Sequence, residues 1–326
     1  MTATILRTDA ELGIIEQYLD RLRDVAVVTT TEHYDEPGLI QAAAGADLIL
    51  TCYTEITAAV MNAAPNLKGI VKYGVGVNNI DLATATRNGV MVANCPAYGS
   101  DTVADHAFAL LIALARKIPA IDRIMRKQAW AWPEPGLLGF DLAGKTLGLI
   151  GMGRIGRAMA RRGQGFGMKV ITVDPYVTAD DIRPLEVEFT TLDELLDRSD
   201  FVSIHCILTP ETRGLLDARR LSRMKPTAFL IDVSRGAIVD EDALIRAIKD
   251  SQIAGAGFDV FADEPLSPDY PLLGMDNVIL TPHLAWYTHE AFQRVEEQTL
   301  ESVLDILQGR TPKNLKNTEL RAAISP

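Results

Sequence analysis

The sequence predicts an α/β protein built from two doubly wound parallel sheets, and three observations carry that expectation. Short apolar runs alternate with amphipathic stretches along nearly the whole chain, the pattern of parallel strands joined by crossover helices. The alternation fills the first third of the sequence, is interrupted, and starts again at Lys145. A glycine-rich turn lies between a strand and a helix at the head of the second series. A length of 326 residues leaves room for two domains of roughly 150 residues each.

In the first series, strands are predicted over Ala3–Leu6, Val25–Thr29, Ala46–Cys52, Gly69–Tyr73 and Gly89–Ala93. Helices alternate with them over Ala10–Asp20, Gly38–Ala44 and Thr57–Ala64. Asp101–Arg116 then reads as a long apolar helix with Ser100 or Asp101 as its N-cap, residues whose side chains accept from the free N–H groups of a first turn. Lys117–Phe140 differs from its surroundings, with Trp130, Trp132, Pro133, Pro135 and Gly136. It reads as an irregular arm, either packed on a second subunit or folded back on its own domain.

The second series has strands over Thr146–Ile150, Lys169–Val173, Phe201–Cys206, Phe229–Val233, Gly255–Val260 and Val278–Thr281. Helices are predicted over Arg154–Gly165, Leu192–Arg198 and Asp240–Asp250. A final helix, Thr288–Gln308, follows the completed second series and is free to return to the first domain. The first domain would then be discontinuous, residues 1–100 plus 290–326, around a second domain of residues 101–289 with the arm 117–140.

Composition narrows the function. Hydrophobic residues at 48% and charged residues at 23% fit a soluble globular protein. Lys and Arg number 32 against 43 Asp and Glu, a net charge of −11, which argues against nucleic acid or an anionic membrane as partner. Three widely spaced cysteines, Cys52, Cys95 and Cys206, suit neither a disulfide framework nor a metal site, and each reads as a small buried hydrophobe in a reducing cytoplasm. Arg7, Asp9 and Glu11 break the N-terminus before a signal-length apolar run can form. The most apolar stretch, Ala104–Ala115, contains His106 and is too short to span a bilayer.

Gly151-Met152-Gly153-Arg154-Ile155-Gly156 fits the G-x-G-x-x-G pattern. In such a turn Gly151 permits the tight bend, Gly153 lets the backbone approach a pyrophosphate, and Gly156 brings helix and strand together. The anion rests on the helix N-terminus, where free N–H groups and the helix dipole favour negative charge. Strand and helix flank the turn, and the next strand ends in Asp174, a carboxylate placed to accept from ribose hydroxyls and to repel a 2′-phosphate. NAD is therefore the expected cofactor. Arg154, Arg157, Arg161 and Arg162 follow on the helix, where their side chains read as a solvated basic face.

Strand ends also carry the catalytic candidates. His283 follows Val278–Pro282, Arg235 ends Leu230–Ser234, and Glu264 lies just past Asp259 and Val260. Ligands of open α/β sheets bind at strand carboxyl ends. Arginine pairs bidentately with a carboxylate, histidine exchanges protons near neutral pH, and a carboxylate beside histidine favours the imidazolium and fixes the ring. Of the other histidines, His205 reads as a satisfied core residue, His106 as structural, and His33 and His289 as surface residues.

These motifs resemble the D-isomer-specific 2-hydroxyacid dehydrogenase family from about Ala46 to Asn317. The residues carrying the resemblance are Gly151–Gly156 with Asp174, Met224–Asp240 with Val233-Ser234-Arg235-Gly236, Asp263-Glu264-Pro265 and Pro282-His283. The resemblance implies Rossmann-like or flavodoxin-like domains, an NAD domain inserted into a substrate domain, and a homodimer. It implies that Arg235 binds the carboxylate and carbonyl of a small anionic substrate, His283 is the acid–base, and Glu264 tunes it. Lys72-Tyr73-Gly74-Val75-Gly76 matches the family's substrate loop, with N–H groups of Val75 and Gly76 on the carboxylate. Cofactor contacts are implied at Cys206, Ile207, Thr209 and Thr212, at Val233, Ser234 and Asp259, and at Val103 and Trp286, with Asp259 on the nicotinamide carboxamide.

Details such as Pro282–Tyr287, Asp174-Pro175-Tyr176 and Gly309–Pro312 are similar to the branch containing the C-terminal-binding proteins, where arginine stands in place of Lys72. Three activities fit this pattern. The first is NAD-dependent interconversion of a 2-oxo acid and its D-2-hydroxy acid; the others are an NAD-sensing corepressor-like role and phosphite oxidation. Trp286 and Tyr73 are candidates to line an apolar pocket, and buried packing suits Trp286 equally well.

Overall fold

The computed structural model describes residues 2–9 and 16–321. Two compact units are present, Met1–Gly99 with Thr288–Pro326 and Ser100–Tyr287. The first opens with β1 (Ala3–Arg7), α1 (Glu16–Arg23), β2 (Ala26–Thr30), α2 (Glu36–Ala43) and β3 (Leu48–Thr51). It continues with α3 (Ala58–Asn62), β4 (Gly69–Lys72), α4 (Leu82–Arg87) and β5 (Met91–Ala93). The predicted Ala10–Asp20 helix falls partly outside the described residues. Short α4 was not foreseen; Asp81 caps it by accepting from the N–H of Thr84.

The strands are all parallel in the order β2-β1-β3-β4-β5, a doubly wound arrangement. Ile5, Leu48, Ile49, Leu50, Ile70 and Val71 are wholly buried. Strands covered on both faces have no polar side to alternate with, and each such side chain contributes about 1.5–3 kcal/mol through removal from water.

The second unit begins with α5 (Ser100–Ala115), α6 (Ile118–Gln128) and β6 (Thr146–Ile150). The first half of the expected arm is thus a helix, a correction to the irregular reading. Its period was present in Ile118, Ile121 and Met125, with Pro119 in the first turn, a position proline favours. Only its tail is irregular, and there Trp130 and Trp132 are 59% and 78% exposed. The long helix also starts at Ser100 itself, a boundary difference of a residue.

After β6 come α7 (Arg154–Gly165), β7 (Lys169–Val173), β8 (Glu188–Phe189), α8 (Leu192–Arg198) and β9 (Phe201–Ile204). Then follow α9 (Ala218–Leu221), β10 (Phe229–Asp232), α10 (Glu241–Lys249), β11 (Gly255–Phe258) and β12 (Val278–Leu280). All pair in parallel in the order β12-β11-β10-β9-β6-β7-β8, the sequence of a dinucleotide-binding sheet with one strand added. One core cluster joins α5 and α7 to a face of the sheet, and a second joins α8, α9 and α10 to the other.

Helix α11 (His289–Leu307) returns to the first unit. Gly69 in β4 lies so close that an added Cβ would stand 2.8 Å from Cδ1 of Ile306. Beyond it, Asn317 closes the edge of β5, accepting from the N–H of Val92 at 2.9 Å and donating to the carbonyl of Val90 at 2.8 Å.

Candidate active site

Strand register builds the site. Ile150 stands opposite Val173 and Ile204, Ile204 opposite Asp232, Asp232 opposite Phe258, and Phe258 opposite Leu280. The residues that follow, Gly151, Asp174, His205, Val233, Asp259 and Thr281, therefore emerge in a row along one edge of the sheet. That edge is where the sequence placed its candidates.

The glycine turn has the shape that a dinucleotide requires. Gly151 adopts φ +100°, and a Cβ there would stand 2.6 Å from the N of Cys206. A Cβ on Gly156 would meet the carbonyl oxygen of Gly151 at 2.2 Å, whereas at Gly153 nothing lies within 4 Å. Turn and helix are thus locked together while open space faces the N-terminus of α7, whose N-cap Gly153 offers no side chain to its N–H groups. The residues fit a pyrophosphate at this point. Asp174 completes the turn, accepting from the N–H of Met152 at 2.7 Å and of Tyr176 at 2.8 Å.

The arginines of α7 lie on a face where three of them pair with exposed carboxylates or backbone carbonyls. Arg162 reaches Asp105 at 2.6 Å and Asp101 at 3.2 Å, and Arg161 reaches Asp101 at 3.3 Å. Arg157 donates to the carbonyls of Met152 and Asp181. Thr212 braces the adjacent turn: its hydroxyl donates to the carbonyl of Ile207 and accepts from the N–H of Thr209, both at 2.7 Å. Ile207 is left 71% exposed beside it.

The acid–base pair is formed. Nδ1 of His283 lies 2.7 Å from Oε2 of Glu264, whose Oε1 accepts from the N–H of Phe261 at 2.9 Å. Burial pushes the Glu264 carboxyl up, but the His283 hydrogen bond and charge, the Phe261 N–H and the Arg235 charge outweigh it and hold it below its ordinary value. An ionised Glu264 can only accept, so Nδ1 carries the proton and Nε2 is the nitrogen available for exchange. Arg235 belongs to the same cluster through its loop. A Cβ on the next residue, Gly236, would meet the backbone carbon of Phe261 at 2.1 Å, so only glycine lets the arginine loop press against the Glu264 loop.

Asp259 has an internal role. It is fully buried, and Oδ1 accepts from the Thr281 hydroxyl at 2.6 Å and the Leu284 N–H at 2.9 Å. Oδ2 accepts from the N–H of Ala285 at 2.8 Å. Trp286 is 9% exposed and stacks edge-on against Tyr287, while Val103 packs on the core.

Two buried groups at strand ends each leave a polar atom unpaired, and one of them, Asp232, escaped sequence reasoning because it sits inside an apolar run. Asp232 is wholly buried at the end of β10, with Oδ1 accepting from the N–H and hydroxyl of Ser234 at 2.7 and 2.6 Å and Oδ2 without a partner. Burial pushes its carboxyl up to about 7 against the partial offset of the Ser234 bonds. The folded protein therefore keeps a proton that the unfolded chain has released above about pH 4, and stability falls as pH rises from there toward 7. Asp232→Asn is expected to raise Tm by about 3 °C or more near pH 8 and by little near pH 4; an equal gain at both would refute the buried proton.

His205 is the other. Its Nε2 pairs with the Ser203 hydroxyl at 2.9 Å, but Nδ1 is buried without a partner, and burial drives its pKa down to about 3. The satisfied core histidine of the sequence reading is thus half satisfied. Cys206 is only partly buried, unlike Cys52 and Cys95. His33 and His289 are exposed. Among the described residues no cluster could hold a metal ion, and no helix is long and apolar enough to cross a membrane.

In the first unit, the Lys72–Gly76 loop leaves the end of β4. Lys72 is only 8% exposed, its ammonium 5.8 Å from the ring centroid of Tyr53. Tyr73 is buried, and Val75 is 49% exposed with its carbonyl accepting from Nδ2 of Asn94 at 2.6 Å. Asp9 holds the neighbouring loop, accepting from the N–H groups of Cys52, Tyr53 and Thr54.

A sheet of this order, a pyrophosphate-shaped turn and a carboxylate-paired histidine define a nicotinamide-dependent oxidoreductase. Residues 108–285 match the family model described as D-isomer specific 2-hydroxyacid dehydrogenase, NAD binding domain. A glyoxylate reductase of Korarchaeum cryptofilum is 44% identical over 285 residues, 86% of each chain. Another from Pyrococcus furiosus is 40% identical over 322 residues, 97% of this chain and 95% of the relative. Among solved structures, D-lactate dehydrogenase from Aquifex aeolicus, complexed with NAD and lactic acid, is similar with a TM-score of 0.85 and 32% identity over 99% of each chain. The chain belongs to the D-isomer specific 2-hydroxyacid dehydrogenase family and is an NAD-dependent oxidoreductase acting on CH–OH donors.

Proposed function

We propose that this protein reduces a small 2-oxo acid to the 2-hydroxy acid, the D isomer wherever C2 becomes a stereocentre, or runs the reverse reaction, glyoxylate and its achiral product glycolate being the first pair to test. The observation that carries the reading is the 2.7 Å pair of His283 and Glu264 beside the arginine loop. Gly151–Gly156 would hold the pyrophosphate of NAD and Asp174 its ribose, and the bound nicotinamide would supply or take a hydride. Arg235 binds the substrate carboxylate and draws electron density from the carbonyl. Nε2 of His283 gives its proton to the developing alkoxide, and Glu264 steadies the imidazolium that does so. The N–H groups of Val75 and Gly76 are assigned to the carboxylate as well, and Lys72 and Tyr73 to the substrate.

Met152, Arg154 and Ile155 are assigned to the phosphates through their backbone, and Val233, Ser234, Asp259 and Trp286 to the nicotinamide side. Cys206, Ile207, Thr209 and Thr212 are assigned to the adenine side, where Ile207 offers an exposed apolar surface; Val103 completes the set. Relatives named glyoxylate reductase at 39–44% identity support glyoxylate. NADH oxidation should be followed with glyoxylate, hydroxypyruvate, pyruvate and phenylpyruvate, and NAD reduction with phosphite. Turnover of glyoxylate or hydroxypyruvate is expected, and activity with phosphite alone would overturn the reading.

Cofactor choice gives a separate prediction. Asp174→Ala should shrink the preference for NADH over NADPH by about tenfold or more, read as the ratio of kcat/KM values. An unchanged ratio would remove Asp174 from the ribose site.

We further assign the working state as a homodimer in the cytoplasm, without nucleic acid or membrane partners. The T-shaped Trp130–Trp132 pair on the tail after α6 supports a subunit contact, and the three thiols, all unpaired, suit a reducing compartment. Sedimentation of the purified chain as a monomer would exclude the dimer.

A further inference from the structure

The turn that carries His283 is strained, and its support comes from a residue far away in sequence. His283 has φ +55°, the left-handed region that a non-glycine residue occupies only where its surroundings impose it. Its N–H donates to the carbonyls of Asp259 at 2.7 Å and Thr281 at 3.0 Å. The next two N–H groups, of Leu284 and Ala285, donate to the Asp259 carboxylate. Asp259 thus clamps the turn on both sides of its own residue, with carbonyl and carboxylate together.

The carboxylate is in turn fixed by Thr281, whose hydroxyl donates to Oδ1 at 2.6 Å. That hydroxyl has one proton, and it is committed. Nε2 of His106, 2.9 Å from the same oxygen, must therefore be the donor, so the ring carries its proton on Nε2. Nε2 also lies 3.6 Å from Oδ1 of Asp259. His106 is on α5, and 26% of its side chain is exposed. Nothing in packing alone demands an imidazole at this point of an otherwise apolar helix face; a hydrogen-bond donor aimed at Thr281 does.

We propose that His106 is a positioning residue for the acid–base histidine, acting through Thr281 and Asp259 to hold the His283 turn in its left-handed conformation. The inference rests on His283 being the acid–base group. When the donor is lost, the Thr281 hydroxyl is free to turn away and Asp259 loses a partner that orients it. His283 then drifts relative to Glu264 and to the substrate while the glycine turn is untouched. Turnover should fall much further than cofactor affinity, because the glycine turn that holds the pyrophosphate is not part of this chain of bonds.

The test uses steady-state reduction of glyoxylate by the full-length protein. His106→Phe keeps the ring volume without the donor and is expected to lower kcat about tenfold, an effect of the size that small misplacements of a reacting group produce. KM for NADH should change by a smaller factor than kcat. His106→Gln restores an N–H donor and should recover kcat to within about threefold of the starting protein. The double variant His106→Phe/Thr281→Val should be no slower than Thr281→Val alone, because both changes break one chain of bonds.

Equal losses in the Phe and Gln variants, an unchanged kcat in His106→Phe, or multiplying losses in the double variant would each overturn the proposal. If His106→Phe does not fold, Thr281→Val against Thr281→Ser carries the same question, and a serine variant as slow as the valine one refutes it. Full turnover by His283→Ala would instead show that the acid–base reading had failed.

Discussion

Replacing His283 with alanine is expected to lower kcat for 2-oxo acid reduction by about 10²- to 10⁴-fold, the usual worth of a positioned proton donor. The hydride acceptor carbonyl becomes an alkoxide, and without Nε2 only water can protonate it. NADH affinity, read by fluorescence titration, should be nearly unchanged, since the glycine turn and Asp174 follow β6 and β7 and share no hydrogen bond with His283. Retained turnover would dismiss His283. Glu264 is a different case: it is ionised and only accepts from Nδ1, so Glu264→Gln should move the pH profile more than it abolishes activity.

The second large effect belongs to Arg235. Arg235→Ala is expected to cost about 3 kcal/mol or more in kcat/KM, roughly 10²-fold, because a charge-assisted pair with the substrate carboxylate is lost in a partly desolvated site. Both KM for the 2-oxo acid and kcat should suffer, as one fork both binds and polarises. Arg235→Lys separates charge from geometry: a lysine keeps the cation but cannot span a carboxylate bidentately, so most of the loss should remain. Recovery by lysine would reduce Arg235 to a general electrostatic role.

Much of this was legible because of how parallel sheets are buried. Strands such as Phe201–Ile204 and Phe229–Asp232, covered on both faces, appear in sequence as short unbroken apolar runs, and their ends could be read to within a residue or two. Knowing the strand ends was enough to collect Gly151, Asp174, Arg235, Glu264 and His283 at one edge. Helix α6 was lost because tryptophans and prolines in its tail drew attention from the helical spacing of Ile118, Ile121 and Met125.

What stayed hidden were polar groups whose partners lie far along the chain. His106 and Thr281 are 175 residues apart, and no periodicity links them. Asp232 looked like part of an apolar strand, and its unpaired oxygen exists only once Ser234 has folded back onto the other. The part Asp259 plays in holding the turn of the acid–base histidine was hidden for the same reason, since Thr281, Leu284 and Ala285 lie more than 20 residues beyond it.

The return of α11 to the first unit has a consequence for synthesis. Gly69 takes up the Ile306 side chain, and the exposed edge of β5 is closed by Asn317, both partners arriving more than 200 residues after the strands they cover. As a ribosome delivers the chain, Ser100–Tyr287 has every strand and helix of its own sheet before α11 emerges. The unit translated second is therefore the first able to finish folding, an inversion of the usual N-terminal-first order. Until then the earlier strands wait with an unpaired edge, the kind of surface that chaperones capture and that neighbouring nascent chains join.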